Sequence, residues 1–212
     1  MDLRAFLSWT REQGQLTVIE GPVDPYLEMA RVIHANGEAP LLFADPLRTG
    51  WQVVAGICAR REHFAWALGA DLDGIVPRLV AALGTPDAPP LTHTAPCQEV
   101  VTDSLDLSEL PILTHLPGDG GPYLTSAVAV ISDPDHGRNL SFHRLMQIGP
   151  RTFTGRLVEG RGTHTAYQKA LAAGQDLPIA ICLGVPIHVL LAASMSPPKD
   201  VDELAIAHAL AP

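Results

Sequence analysis

The chain has 212 residues, 47% of them hydrophobic, so it is long and apolar enough to bury a core and is not intrinsically disordered. Its 14 basic and 23 acidic residues give a net charge of −9, which argues against nucleic acid as a partner because that affinity depends on a basic face. The sequence shows neither an apolar run long enough for a membrane span nor a signal peptide, so we expect a cytoplasmic protein.

The first part of the sequence alternates between helical and strand-like segments. A helix is predicted from Asp2 to Glu12, with Asp2 as its cap, and Leu16 to Ile19 is a short strand rich in β-branched residues. Further helices are predicted over 26–36, 60–68 and 75–83, and further strands over 41–43 and 53–57. The alternation predicts an N-terminal α/β domain over residues 1–84, and the Pro-rich stretch after it predicts a linker over 85–99.

The second part, residues 100–212, has the pattern of antiparallel β structure with a few helices, so the predicted fold class is α+β. Strands are predicted over 124–131, 140–148, 152–158 and 179–183. Helices are predicted over 165–173 and 201–210, while the apolar segment 187–193 fits either type. Cys58, Cys97 and Cys182 form no CxxC pair, so we expect three free thiols, mostly buried.

Three segments carry residues of possible functional use. The first, residues 110–126, packs prolines and glycines around Asp119, which suits either a close backbone approach to a ligand or simply a tight surface loop. In the second, Asn139, Ser141 and His143 share one face of a predicted strand, and Arg144 falls on the other, apolar face. An arginine there is costly unless it meets an anion; by pattern alone, an edge-strand arginine that reaches solvent is the favoured alternative.

The third segment, residues 156–164, is a strand end followed by a Gly-rich turn that leads into a helix. Backbone N–H groups at such a helix start, with Arg156 and Arg161 nearby, suit a phosphate, although such turns are common and His164 could simply cap the helix. Glu203, in the first turn of the last helix, is ordinarily explained by compensation of the helix dipole.

In their order along the chain these segments closely resemble the UbiD family of decarboxylases. The resemblance rests on Leu-Pro-Ile, Thr-His, Pro-Gly-Asp-Gly-Gly-Pro-Tyr-Leu-Thr and Gly-Arg-Asn-Leu-Ser-Phe-His-Arg, and it covers nearly the whole chain. It implies an N-terminal α/β domain followed by a split β-barrel that binds flavin, present here only in part. It also implies the reversible, non-oxidative decarboxylation of α,β-unsaturated or aromatic carboxylic acids with prenylated FMN, which a flavin prenyltransferase supplies.

The resemblance also implies site residues. Asn139, His164 and Glu203 match ligands of a Mn²⁺ or Mg²⁺ ion that holds the flavin phosphate, and the carbonyl groups of 192–195 resemble a potassium site. The other matches to flavin-binding positions are Phe142, His143, Arg144, Arg156, Leu157, Val158, Arg161 and Gly162. Arg144 matches the catalytic arginine, which pairs with the substrate carboxylate and with a proton-donating glutamate.

The family sequence continues beyond the point where this chain ends, and the catalytic acids and most of the dimer interface are expected in that further half. We therefore expect a decarboxylase whose catalytic acid half is absent from this chain, with a homo-oligomer or a second polypeptide as partner. Two alternatives stay open, a non-catalytic flavin-phosphate-binding subunit of a split decarboxylase and a degenerate remnant that binds no ligand.

Overall fold

A computed structural model describes residues 2–211 and shows a mixture of helices and small sheets. The N-terminal part contains α1 (Leu3–Glu12), β1 (Thr17–Ile19), α2 (Glu28–Ala35), β2 (Leu41–Phe43), β3 (Val53–Ala55), α3 (Arg61–Leu68) and α4 (Ile75–Gly84). The strands that follow are β4 (Tyr123–Leu124), β5 (Val128–Asp133), β6 (Gly137–Phe142), β7 (Leu145–Gly149), β8 (Thr152–Gly155) and β9 (Ala180–Cys182). The later helices are α5 (Gly162–Ala172), α6 (Ile187–Ser194) and α7 (Glu203–Leu210).

The predicted α/β alternation of the N-terminal part is confirmed. Strand β2 lies in the middle of the first sheet, parallel to β1 and antiparallel to β3. Helix α1 begins at the predicted cap, because Oδ1 of Asp2 accepts a hydrogen bond of 2.8 Å from the Ala5 N–H. Met29, Leu41 and Phe43 form the core between α2 and this sheet.

The strands of the second part form two antiparallel three-stranded sheets, ordered β6-β5-β9 and β4-β7-β8, and residues 2–211 contain no closed barrel. The predicted single strand over 140–148 is wrong. Strands β6 and β7 belong to different sheets, and the chain passes from one sheet to the other at His143 and Arg144. Arg144 is therefore an exposed residue between two strands and does not lie on the apolar face of a strand.

A helical core joins the two parts of the chain. Helices α3, α4, α6 and α7 pack together through small and aliphatic side chains. The buried members are Ala65, Leu68, Ile75, Ala82, Ala192, Ile206, Ala207 and Leu210. Segment 187–193, which the sequence left open, is thus a helix, and its small residues let α7 approach closely.

Other predicted boundaries differ by a few residues. The strand predicted over 152–158 ends at Gly155, so Arg156, Leu157 and Val158 lie in irregular chain. Helix α5 begins at Gly162, which places His164 inside its first turn. The cysteine prediction is wrong on burial, because Cys58 lies in a turn and Cys97 in a short 3-10 helix (Pro96–Gln98) that buries none of its residues. Both are exposed, and Cys182 is half-buried.

Across the described range, 2–211, no helix combines the length and the apolar character that crossing a membrane requires.

Candidate functional site

The site is a cavity of about 710 Å³ between β6, the start of α5 and the segment that runs from the end of α6 to the start of α7. Every residue that the sequence predicted for the site lines this cavity, except Leu157, which is half-buried. The lining residues from that prediction are Asn139, Phe142, His143, Arg144, Arg156, Val158, Arg161, Gly162, His164 and Glu203. Residues up to 64 positions apart in the sequence therefore meet at one place.

Glu203 is the most unusual group of the cavity. Its side chain is 3% exposed, and burial raises the pKa of its carboxyl group. Oε1 accepts a hydrogen bond of 2.8 Å from Nδ2 of Asn139, and Oε2 accepts one of 2.9 Å from the Leu140 N–H. Within residues 2–211 it forms no salt bridge. A buried carboxylate without a basic partner fits a bound cation.

Asn139 supplies a second oxygen beside Glu203. Its Nδ2 is occupied by the glutamate, which leaves Oδ1 directed at the start of α5. A Cβ atom at position 162 would lie only 2.8 Å from this Oδ1, so glycine is the residue that lets α5 begin so close to β6. Amide and carboxylate oxygens are the donors that hard divalent cations prefer.

The start of α5 offers backbone donors to the same cavity. Arg161 occupies the N-cap position without a side-chain cap bond, so the helix lacks a side-chain acceptor for its first N–H groups. In the first turn, Nδ1 of His164 accepts a long hydrogen bond of 3.3 Å from the Gly160 N–H. In the neutral imidazole that accepts this bond the proton is on Nε2, so Nε2 can donate a hydrogen bond to an anionic group, and His164 can coordinate a cation only when the bond from Gly160 is released. An uncapped helix start beside Arg161 suits an anionic group such as a phosphate.

A hydroxyl and imidazole cluster lies next to these groups. Oγ of Ser141 is 3.1 Å from Nε2 of His143 and 3.1 Å from Oγ1 of Thr163, and His143 and Thr163 are 3.2 Å apart at the same atoms. Sequence reasoning placed Ser141 and His143 on one face but missed Thr163. The only local signal was a hydroxyl residue in the first turn of the helix, which is common for other reasons.

Arg144 borders two cavities. A second cavity, of about 570 Å³, shares Arg144, Arg156 and Thr125 with the first. The Gly- and Pro-rich loop forms its other side, where Oδ2 of Asp119 accepts hydrogen bonds from two backbone N–H groups of the same loop. The loop is therefore a tight turn, which is one of the two structures that its sequence suits. It also borders the second cavity, next to Arg144.

One of the three predicted metal ligands, Asn139, is an amide, so the predicted site is not a cluster of acidic, histidine and cysteine side chains alone. No group of three His, Cys, Asp or Glu side chains in the described part of the chain is placed to hold a metal ion. A site here needs the amide oxygen of Asn139 in addition to His164 and Glu203.

Comparison with known proteins is consistent across sequence and structure. Residues 90–212 match the family described as the 3-octaprenyl-4-hydroxybenzoate carboxy-lyase Rift-related domain, and residues 7–83 match the N-terminal domain of the same carboxy-lyase. The chain is 35% identical over 207 residues to anhydromevalonate phosphate decarboxylase of Methanothermobacter thermautotrophicus, covering 97% of this chain and 48% of that protein. It is 33% identical to the enzyme of that name in Methanosarcina mazei, over 93% of this chain and 46% of the relative.

The fold matches solved structures equally well. The UbiD-class enzyme HmfF from Pelotomaculum thermopropionicum, in complex with FMN, superimposes with a TM-score of 0.94 at 37% identity, covering 100% of this chain and 49% of HmfF. A dimeric form of HmfF in complex with prenylated FMN gives the same TM-score. The chain belongs to the UbiD family. It spans about half the length of the two archaeal decarboxylases to which it is similar.

Proposed function

We propose that this chain forms the flavin- and metal-binding half of a carboxy-lyase that decarboxylates α,β-unsaturated or aromatic carboxylic acids with prenylated FMN. The observation that carries the proposal is the pairing of buried Glu203 with Asn139 at the uncapped start of α5. This arrangement supplies cation ligands and anion donors side by side, which is what a metal-bridged phosphate requires. The names of the curated relatives support the reaction class.

In this proposal the phosphate end of the flavin is held by two sets of groups. The metal, Mn²⁺ or Mg²⁺, would be held by Oδ1 of Asn139, the imidazole of His164 and the carboxylate of Glu203, and the backbone N–H groups at the start of α5 would bind the phosphate. Other parts of the cofactor would be bound by residues of the cavity wall, namely Phe142, His143, Arg156, Val158 and Arg161. Leu157, which the family resemblance also implies as a cofactor contact, does not line the cavity. Carbonyl oxygens at the end of α6, where Ser194 and Met195 line the cavity, are available to K⁺.

The chemistry in this proposal divides between the cofactor and the protein. Bound prenylated FMN supplies the electron sink for loss of CO₂. Arg144, exposed between the two cavities, holds the substrate carboxylate by a charge-assisted pair and orients it toward the flavin. Arg144 is thereby the catalytic residue that this chain contributes.

Proton delivery needs a further carboxylic acid. Two carboxylates line the main cavity, and both are engaged: Glu203 bonds to Asn139 and Leu140, and Asp133 pairs with Lys169 at 2.7 Å. Although burial opposes it, the hydrogen bond from Lys169 holds the pKa of Asp133 below its usual value, so Asp133 does not act as a proton donor near neutral pH. We therefore infer that the acid comes from outside this chain, in a part of the relatives that the chain does not span.

Three accompanying proposals concern organisation. The division into domains over 1–84 and 100–212 is supported by the two separate family matches, to residues 7–83 and 90–212, although the second match begins within the proposed linker 85–99. Association with a copy of the chain or with a second polypeptide is supported by exposed apolar side chains, among them Leu91, Val100 and Val101 at 94%, 84% and 78% exposure.

A flavin prenyltransferase is the source of the cofactor in this proposal. A cytoplasmic location suits such a supply.

The test is co-expression of the chain with a flavin prenyltransferase, followed by assay of CO₂ release from unsaturated and aromatic acids. We expect the chain alone to be inactive, and we expect activity when a polypeptide with the remaining half of a UbiD-class relative is added. Arg144→Ala should abolish that activity, whereas Arg151→Ala, which alters an exposed arginine away from both cavities, should retain it.

Two outcomes would change the assignment. Robust CO₂ release by the chain alone would show that a residue of this chain donates the proton. Cofactor binding without activity, even after the second half is added, would favour the alternative of a non-catalytic flavin-phosphate-binding subunit.

A further inference from the structure

A series of side-chain contacts aligns β6 with the segment that leads into α7. Each contact joins two residues that are 64 positions apart, so the two segments run side by side in a fixed register. The contacts pair His136 with Asp200, Arg138 with Asp202, and Asn139 with Glu203. The last pair belongs to the proposed metal site, and the pair of Arg138 and Asp202 lies directly before it on both segments.

Arg138 and Asp202 have no access to the cavity. Asn139 and Glu203 line it, whereas Arg138 and Asp202 do not. Successive residues of a strand point to opposite faces, which explains why Arg138 lies behind the site. A role of this pair in ligand binding must therefore act through the neighbouring residues.

The geometry of the pair is suited to holding α7 in place. Nε of Arg138 donates to both carboxylate oxygens of Asp202, at 3.0 and 3.2 Å, and Nη2 donates to Oδ2 as well. Oδ1 of Asp202 also accepts a hydrogen bond of 2.8 Å from the Leu204 N–H and caps α7. One carboxylate thus fixes the residue at which α7 begins and ties that residue to β6.

Glu203 needs such support. Its carboxylate is buried beside Asn139 without a basic partner, and in the absence of a metal ion burial favours its movement toward solvent. The pair behind it is partly exposed, with side-chain exposures of 39% for Arg138 and 29% for Asp202, so its charges are less costly to retain.

We propose that Arg138 and Asp202 are positioning residues that hold Asn139 and Glu203 at the spacing that a divalent cation requires. This inference rests on the proposed function, because it assumes that Asn139 and Glu203 are ligands. Groups that orient metal ligands from behind typically change metal affinity by about 10-fold to 100-fold when they are removed.

The first test needs no metal. The Leu140 N–H donates to Oε2 of Glu203, so its hydrogen exchange reports on the position of that carboxylate. Arg138→Gln and Asp202→Asn should each accelerate this exchange by about 10-fold or more, by the opening of that contact. Asparagine can still cap α7, so the second variant keeps the helix start. Arg60→Gln is the control, because it breaks an exposed ion pair, to Glu38, whose two residues do not line the cavity.

The second test measures Mn²⁺ affinity by electron paramagnetic resonance in the presence of FMN. Arg138→Gln and Asp202→Asn should each weaken Mn²⁺ binding by about 10-fold to 100-fold. Arg138→Lys should recover part of the affinity, and Arg60→Gln should leave it unchanged. Unchanged affinity or unchanged Leu140 exchange in the two variants would overturn the inference alone. Absence of Mn²⁺ binding in the unaltered chain would overturn both the inference and the proposed metal site. The unaltered chain therefore distinguishes failure of the positioning role from failure of the metal site itself.

Discussion

The helical core and the main cavity use burial in opposite ways. In the core, α3, α4, α6 and α7 bury apolar side chains such as Leu68 and Ile206, which need no partner beyond close packing. At the cavity, burial falls on Glu203, Asp133 and Thr163, which are each hydrogen-bonded but are costly to bury. The core therefore stabilises the chain by packing, whereas Glu203 in the cavity is the buried charge that has no basic partner among the described residues.

The largest expected effect is on the core. Leu68→Ala removes a side chain that is 1% exposed and should lower the free energy of unfolding by about 2–5 kcal/mol. Val80→Ala, at a position of α4 that is 62% exposed, is the control and should change it by less than about 0.5 kcal/mol. Urea denaturation of both variants measures the difference, and equal losses would show that the helical core does not dominate stability.

The next prediction concerns Glu203, whose substitution should change Mn²⁺ affinity much more than it changes stability. Glu203→Gln keeps the shape of the side chain but removes the charge whose burial raises the carboxyl pKa. Loss of the buried charge favours the folded state, but the glutamine NH₂ group cannot accept one of the two hydrogen bonds, so the thermal midpoint should change little. Mn²⁺ affinity should fall by about 100-fold or more, beyond the usual effect of losing a supporting group. Scanning calorimetry measures the midpoint, and calorimetric titration measures the affinity. A large loss of thermal stability with metal binding retained would reverse our assignment of Glu203.

A smaller effect is expected where the cavity wall meets the start of α5. Gly162→Ala places a Cβ 2.8 Å from Oδ1 of Asn139, so the amide must move. Mn²⁺ affinity should then fall by about 10-fold, which is the lower end of the range for a disturbed group around a metal. Gly84→Ala, at the end of α4 with no heavy atom within 4 Å of the added Cβ, is the matched control. If both variants bind Mn²⁺ as the unaltered chain does, the oxygen of Asn139 is not a ligand.

A further expected effect is a dependence of stability on pH that comes from two buried histidines of the helical core. Burial lowers the pKa of His63, and it lowers the pKa of His188 to about 4. Because the unfolded chain binds protons near pH 6.5, their contribution is fully present above that pH and is lost as pH falls toward 4. Denaturant midpoints between pH 7 and 4.5 should fall more steeply for the unaltered chain than for His188→Gln, and parallel curves would contradict this.

The sequence predicted helices and short strands well where one local signal decides. Asp2 caps α1 as expected, and the alternation of α2, β2, β3 and α3 follows from runs whose period is unambiguous. The error at 140–148 has a physical reason: the alternation of polar and apolar residues continues through His143, although the chain changes sheets there. The arginine at 144, which did not fit an apolar face, was the one position that marked the break.

Site residues could be named from the sequence, but their contacts could not. Family resemblance identifies Asn139, His164 and Glu203 as site residues. It does not identify the ion pair between Arg138 and Asp202. Their contact joins positions 64 apart, and such a pairing depends on the packing of α7 against β6 rather than on any local pattern. Exposure of Cys58 was missed for a related reason, because apolar neighbours in sequence do not determine burial in a turn.

The most direct test of the central claim is an amide NMR spectrum of the chain titrated with Mn²⁺ and FMN, which locates the paramagnetic ion by the signals that it broadens. We predict broadening centred on Asn139, His164 and Glu203, and its absence in Glu203→Gln. Broadening centred instead on the acidic groups around Asp135, or on no single region, would contradict a metal-bridged flavin site in this cavity.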